Sequence, residues 1–302
     1  MAVKATHPAD QRGDPTLTSP SRVGSFEHDG LTFDVRDTGP LDGTVVVLLH
    51  GFPQTSTSWA ETAALLNERG YRTIAPDQRG YSPRARPRGR FAYRSSRLVA
   101  DTVSLIDTIG TGPVHLVGHD WGANVAWATA ARRPDLVRSL TSVSVPHAGA
   151  FLRAMLTSDQ LVRSYYMALF QIPWLPERAL RSRPRFLDRT LAKTGMTPTQ
   201  IARVHQEIVL GGALTGGLNW YRAMFLQRPT GLRGRVPVPT THVWSDGDTA
   251  LSRRSAELAG EYVDGEYRLE ILTGVSHWVP EEAATTLAAI VDRTATAAGG
   301  LS

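Results

Sequence analysis

A chain of 302 residues is long enough for one large domain, or one domain with an insertion, and at that length folding buries about 75% of the unfolded surface. Hydrophobic residues at 41% and charged residues at 20% match an ordinary globular protein, and the apolar runs fall far short of the roughly 20 residues of a membrane helix, so no membrane span is expected. The net charge of +5 is almost all arginine, with Lys4 and Lys193 the only lysines; the densest run, from Arg79 to Arg97, lacks the spacing of a nucleic-acid surface, and the absence of cysteine removes disulfides and thiolate metal sites.

Residues 1–22 are rich in Pro, Asp, Ser and Thr without an apolar core, which predicts a flexible tail rather than a secretory signal, and hence a cytoplasmic protein. Strands are expected at 23–27 and 31–37 around the hairpin signal Asp29-Gly30, then at 44–50, 72–76, 114–118, 139–145, 240–245 and 267–272. Helices are expected at 57–69, 95–109, 121–133, 253–261 and 280–297. This alternation predicts an α/β fold, an eight-stranded and mainly parallel sheet covered on both faces. Between 147 and 236 the alternation stops, and helical stretches follow one another around Pro173, Pro176, Pro184 and Pro198. The block is too long for a loop and reads as a helical cap inserted after the sixth strand, with the core formed by 23–146 and 237–302.

The fifth strand runs into Gly118-His119-Asp120-Trp121-Gly122 and then directly into a helix. A strand, a sharp glycine-flanked turn and a helix make a nucleophile elbow, in which the central side chain stands out at the top of the sheet. Here that side chain is a carboxylate, ionised at neutral pH and set at a helix N-terminus that favours the anion. Such a group suits attack at an sp3 carbon, opening an epoxide or displacing a halide to leave an ester on the enzyme. Water must then cleave that ester.

Cleavage needs a base. His277 sits in the loop after the eighth strand and before the last helix, where the chain order of such enzymes puts the histidine. The acid that orients it is expected after the seventh strand, where Asp248 is preferred to Asp246, the latter more suited to shaping the turn. The segment His50-Gly51-Phe52-Pro53 follows the third strand, so the backbone NH groups of Phe52 and Trp121 are expected to form the oxyanion hole.

These motifs resemble those of α/β-hydrolases of the epoxide hydrolase group, over about residues 23 to 297. Asp77-Gln78-Arg79-Gly80-Tyr81-Ser82 resembles the group's loop after the fourth strand, while Leu218-Asn219-Trp220-Tyr221-Arg222 and the stretch from Tyr166 to Pro173 resemble its lid motifs. The resemblance implies that Tyr166 and Tyr221 are paired lid tyrosines that donate to the epoxide oxygen, with Tyr165 the neighbour that could be mistaken for Tyr166. It also implies conversion of an epoxide to a vicinal diol through an ester on Asp120, with epoxide and water as the partners and without cofactor or metal. Arg84 departs from the glycine common in relatives, and it opens an arginine-rich stretch at the expected pocket rim.

Two other readings use the same residues. A haloalkane or haloacid dehalogenase would share Asp120, Asp248 and His277, but Phe52 stands where haloalkane dehalogenases place a polar or charged residue, and Trp121 where fluoroacetate dehalogenases place arginine. A non-catalytic receptor or carrier on the same fold would have no need of the intact set. A homo-oligomeric state and the identity of the epoxide are left open.

Overall fold

The computed structural model describes residues 21–226 and 234–299, so the tail expected at 1–22, its last two residues excepted, and residues 227–233 of the expected cap lie outside the described residues. Eight strands, β1 (Ser25–His28), β2 (Leu31–Thr38), β3 (Val45–Leu49), β4 (Arg72–Pro76), β5 (Val114–His119), β6 (Val137–Val143), β7 (Thr240–Ser245) and β8 (Tyr267–Leu272), form one sheet in the order β1-β2-β4-β3-β5-β6-β7-β8. β1 and β2 pair antiparallel, as do β2 and β4, whereas every pairing from β4 to β8 is parallel.

The middle of the sheet is buried on both sides, and β3 shows why. β3 reads Val-Val-Val-Leu-Leu and is buried throughout. Its odd positions, Val45, Val47 and Leu49, join a core with Leu98, Leu105 and Val125, while Val46 and Leu48 join another with Leu66, Leu287 and Ile290. Those partners come from α1 (Ala60–Glu68), α2 (Ser95–Ile109), α3 (Trp121–Arg132) and the last helix, so the period-two alternation of one strand feeds two helical layers.

Between β6 and β7 the chain forms α4 (Ala148–Thr157), α5 (Gln160–Arg163), α6 (Tyr165–Phe170), α7 (Leu175–Ser182), α8 (Pro184–Lys193), α9 (Pro198–Val204) and α10 (Leu214–Ala223). After β7 come α11 (Arg253–Glu257), α12 (Val279–Glu282) and α13 (Ala284–Ala297). No helix among the described residues is long and apolar enough to cross a membrane.

The inserted helices are tied to the sheet by named contacts. The Trp220 indole donates to the Arg79 carbonyl at 2.8 Å, and Gly216 lies so close to Gly80 that a methyl group on it would overlap the Gly80 backbone. Arg79 is held in turn by a bidentate pair with Asp101, both distances 2.7 Å. The arginine-rich stretch contributes as well, since Arg86 donates to the carbonyls of Tyr81 and Gly211 and so bridges the loop after β4 to the insertion. Arg84 pairs with Asp34 at the surface. Within the insertion, Arg222 is buried against Glu177 and also donates to the carbonyls of Phe170 and Ile172.

Among the boundaries that differ from expectation, three have a visible physical reason. β6 stops at Val143, because Ser144 has φ +66° and turns the chain out of the sheet. The last helix is broken at Ala283, and Glu282 on the near side of the break accepts from the Ser276 NH at 2.9 Å, which pulls it back toward the loop after β8. The helix expected over 253–261 ends at Glu257 and continues as a tighter turn over Ala259–Tyr262.

Candidate active site

β3, β5, β7 and β8 end on one edge of the sheet, and their carboxyl ends carry Phe52, Asp120, Asp248 and His277 respectively. This is where open parallel sheets offer side chains to a ligand. Asp120 links β5 to α3 with φ +51°, a conformation that non-glycine residues rarely take. The turn is possible because its neighbours have no side chain. A methyl group at Gly122 would overlap the Leu49 carbonyl, and one at Gly51 would overlap the Asp120 side chain.

The carboxylate is almost wholly buried, and its Oδ1 accepts the Phe52 NH at 2.8 Å. Burial alone would push its pKa up; the His277 imidazole, aided by the Trp121 NH, outweighs burial and holds it below the usual aspartate value. Of the two backbone donors expected from the sequence, the Phe52 NH meets Asp120 directly. His277 Nδ1 lies 2.7 Å from Asp248 Oδ2, and its Nε2 lies 3.7 Å from Asp120 Oδ2, too long for a direct hydrogen bond.

Asp248 is fully enclosed, and its Oδ1 accepts the NH groups of Ala250 and Leu251 at 2.7 and 2.9 Å, which fixes the carboxylate in place. Asp246 instead faces solvent and accepts the Gly274 NH at 2.7 Å, so it shapes the turn and does not reach the imidazole. Burial would lower the pKa of His277, but the charges of Asp248 and Asp120 reverse this and raise it to about 10. A raised folded-state pKa means that the ion pairs stabilise the fold fully below the ordinary value of 6.5 and fade as pH climbs through about 10. Thermal unfolding of the wild type and of His277→Gln should accordingly differ most near pH 6 and converge toward pH 11, and a gap that stays constant over that range would contradict the ion pairing.

Two contacts hold the histidine loop that sequence reasoning missed. His119 donates from Nε2 to the His277 carbonyl at 2.9 Å, and the Ser144 hydroxyl donates to the same oxygen at 3.2 Å. Burial drives the His119 pKa down to about 4, so the ring stays neutral. The available signal was a histidine at the buried end of β5, where an apolar residue would otherwise be expected.

In front of Asp120 lies a cavity of about 290 Å³. Asp120, Trp121, Tyr166 and Tyr221 line it, together with apolar side chains such as Phe151 and Met224. His277 and Asp248 are absent from its wall and lie behind the carboxylate. Tyr166 and Tyr221 come from α6 and α10, with ring centroids 6.0 Å apart, and Tyr221 packs edge-on against Trp121 at 4.9 Å. The Tyr221 carbonyl accepts from Gln171 at 2.9 Å, which ties α10 to the end of α6. Burial, reinforced by neighbouring negative charge including that of Asp120, raises both phenol pKa values far above 10, so both remain proton donors. Tyr165 is 68% exposed and turned away from the cavity wall. Among the described residues no group of three or more His, Cys, Asp or Glu side chains is arranged to hold a metal ion.

The chain matches the family model of the alpha/beta hydrolase fold over residues 44–283. It is 34% identical to AB hydrolase superfamily protein YfhM of Bacillus subtilis, a match covering 84% of this chain and 90% of that protein. It is 31% identical to epoxide hydrolase A of Mycobacterium tuberculosis, with the same coverages. Among solved structures, an epoxide hydrolase from Vigna radiata superposes with a TM-score of 0.76 at 27% identity, over 89% of this chain and 96% of that one. With the sheet order, the elbow and these likenesses in agreement, the chain belongs to the α/β-hydrolase family and is similar to its epoxide hydrolase-like members.

Proposed function

We propose that the protein hydrolyses an apolar epoxide to a vicinal diol through a covalent ester on Asp120. The observation that carries this reading is the arrangement around one carboxylate: a nucleophile facing two protonated phenols across an apolar cavity, with an imidazole and its acid behind it. Asp120 attacks one epoxide carbon while Tyr166 and Tyr221 donate to the departing oxygen. The carbon–oxygen bond of the ring breaks as the new ester bond forms, and the alkoxide takes a proton from one of the two phenols, which is restored by the proton that His277 releases.

Esterification also prepares the second step. Once Asp120 is neutral, one of the two anions that raise the His277 pKa has gone, so the imidazole gives up its proton more readily and can act as base. His277 then takes a proton from water in the gap beyond Nε2, and that water attacks the ester carbonyl. The NH groups of Phe52, which holds the resting carboxylate, and of Trp121 would hold the tetrahedral oxyanion. Helices in the span 147–236 act as the cap that shuts water away from the first step.

The cavity wall argues for a neutral, lipophilic substrate. Among the described residues its only charged side chain is Asp120, so a haloacid would bring a carboxylate against an anion with no lining cation among them to meet it. A dehalogenase also has little use for two phenols aimed at the leaving group, and a receptor has none for an imidazole braced by a buried acid.

Incubation with styrene oxide tests the reading, with formation of phenylethanediol as the expected result and an unchanged epoxide as the result that sinks it. The phenols give a finer test. Tyr166→Phe and Tyr221→Phe should each slow ester formation, and the double variant should lose about 10² to 10⁴-fold in kcat because no positioned acid remains. Equal rates in wild type and double variant would remove the tyrosines from the reaction.

A further inference from the structure

The surface of the inserted helices is unlike the rest of the molecule in two respects. Among the described residues, fourteen large apolar side chains are exposed, and twelve of them lie between Leu152 and Phe225. Charge follows the same division, since residues 147–226 carry nine arginines and Lys193 against four carboxylates, which gives this span a net charge of +6 in a chain whose total is +5.

The two features meet on the hairpin of α7 and α8. Arg178, Arg181, Arg183, Arg185, Arg189 and Lys193 are all exposed, and none has a carboxylate partner among the described residues. Between and before them stand Trp174, 67% exposed at a left-handed turn, Leu175, 44% exposed, and Phe186, 58% exposed. Both helices are amphipathic, with Leu187 and Leu191 facing inward and the basic residues outward. Exposed apolar side chains set beside such a basic cluster suit an interaction site.

We propose that the exposed face of the α7–α8 hairpin docks onto an anionic phospholipid bilayer. The arginines pair with the lipid phosphates, and Trp174 and Phe186 enter the headgroup region, where amphipathic aromatic rings are favoured. Charge decides between this occupant and a second copy of the chain. A symmetric pairing of two such faces would set a basic cluster against itself with few acids to interleave, whereas an anionic leaflet supplies the opposite charge.

Docking would also position the cavity. Arg222 donates to the carbonyls of Phe170 and Ile172 and so holds the start of the segment leading to Trp174 beside the end of α10. Phe225, one turn further on, is both 72% exposed and part of the cavity wall. A lipophilic substrate dissolved in the bilayer would then reach the cavity without crossing bulk water. This last consequence rests on the epoxide reading; the docking itself does not.

Sedimentation of the full chain with vesicles tests the proposal, using phosphatidylcholine alone and phosphatidylcholine mixed with phosphatidylglycerol, each at low and high salt. Binding is expected on the mixed vesicles only, and salt should release most of it. Each basic residue near an anionic leaflet strengthens binding about fivefold, so the triple variant R181E/R185E/R189E should bind at least about 100-fold more weakly. W174S should bind more weakly with its salt dependence unchanged. Circular dichroism and thermal unfolding, unchanged in both variants, exclude misfolding as the cause.

Equal binding to both vesicle types, or wild-type binding by the triple variant, overturns the proposal. So does duplex DNA that displaces the vesicles while W174S behaves as wild type, because the face would then be an indifferent polyanion site. A stable dimer that binds no vesicles and that the triple variant dissociates assigns the face to a second copy instead. Vesicle binding that persists without turnover of a vesicle-borne epoxide keeps the docking surface and defeats the epoxide reading.

Discussion

Replacing Asp120 by asparagine should cut diol formation by at least about 10⁴-fold while the protein stays folded. The amide keeps an oxygen to accept the Phe52 NH, and asparagine is among the few residues that tolerate a positive φ such as the +51° found here. What it lacks is the negative charge that attacks carbon. An unchanged thermal transition with lost activity would separate chemistry from folding. Isotope labelling sharpens the same point, because the oxygen that enters the diol first comes from the carboxylate. A single turnover of the wild type in heavy-oxygen water should leave the diol unlabelled and put one heavy oxygen into Asp120. Label appearing directly in the diol, or an asparagine variant within about tenfold of wild type, would falsify the covalent route.

Much of this site could be read from the sequence because its parts lie at strand ends, and strand ends are what hydrophobic patterning marks best. β4, β7 and β8 run over the residues expected of them, and α2 begins and ends as its apolar spacing indicates. The elbow was legible because Gly118 and Gly122 bracket a residue between a buried strand and a helix, a pattern with few other uses. Asp248 could be preferred but not separated from Asp246 by spacing alone; the separation needed the side-chain directions, with one carboxylate buried against His277 and the other turned to the Gly274 NH.

The parts that were not legible depend on contacts between distant segments. His119 and Ser144 meet the carbonyl of a residue more than 130 positions away, and although a histidine at the buried end of β5 stands out, nothing local says which distant group it or Ser144 would meet. The apolar residues of the insertion are a second case, since inward and outward ones share the same helices. Phe151 lines the cavity while its neighbour Leu152 is exposed at the same wall, and the sequence offers no rule that sorts them. The break at Ala283 belongs to the same class, because the patterning of α12 and α13 is continuous and only the bond from Ser276 to Glu282 shows why the helix parts there.

The His277→Gln variant should separate the two halves of the reaction. Glutamine can still donate an amide NH toward Asp248, so the loop held by His119 and Ser144 should keep its place, but no group remains to take a proton from water. Ester formation should proceed and hydrolysis should stop, with steady-state turnover falling by at least about 10³-fold. Mass spectrometry after mixing with styrene oxide should find one epoxide mass added per chain, on the peptide that contains Asp120.

The first step should also change, in a direction that the electrostatics set. His277 is the strongest influence holding the Asp120 pKa down against burial, so its removal lets that pKa rise. The acid limb of ester formation should therefore move to higher pH in the variant, with the Phe52 NH still favouring the ionised carboxylate. Rapid-mixing measurements of the adduct at several pH values would show both the shift and the burst. A variant that gains no mass at any pH, yet still unfolds at the temperature expected of it, would mean that the carbon–oxygen bond to Asp120 never forms.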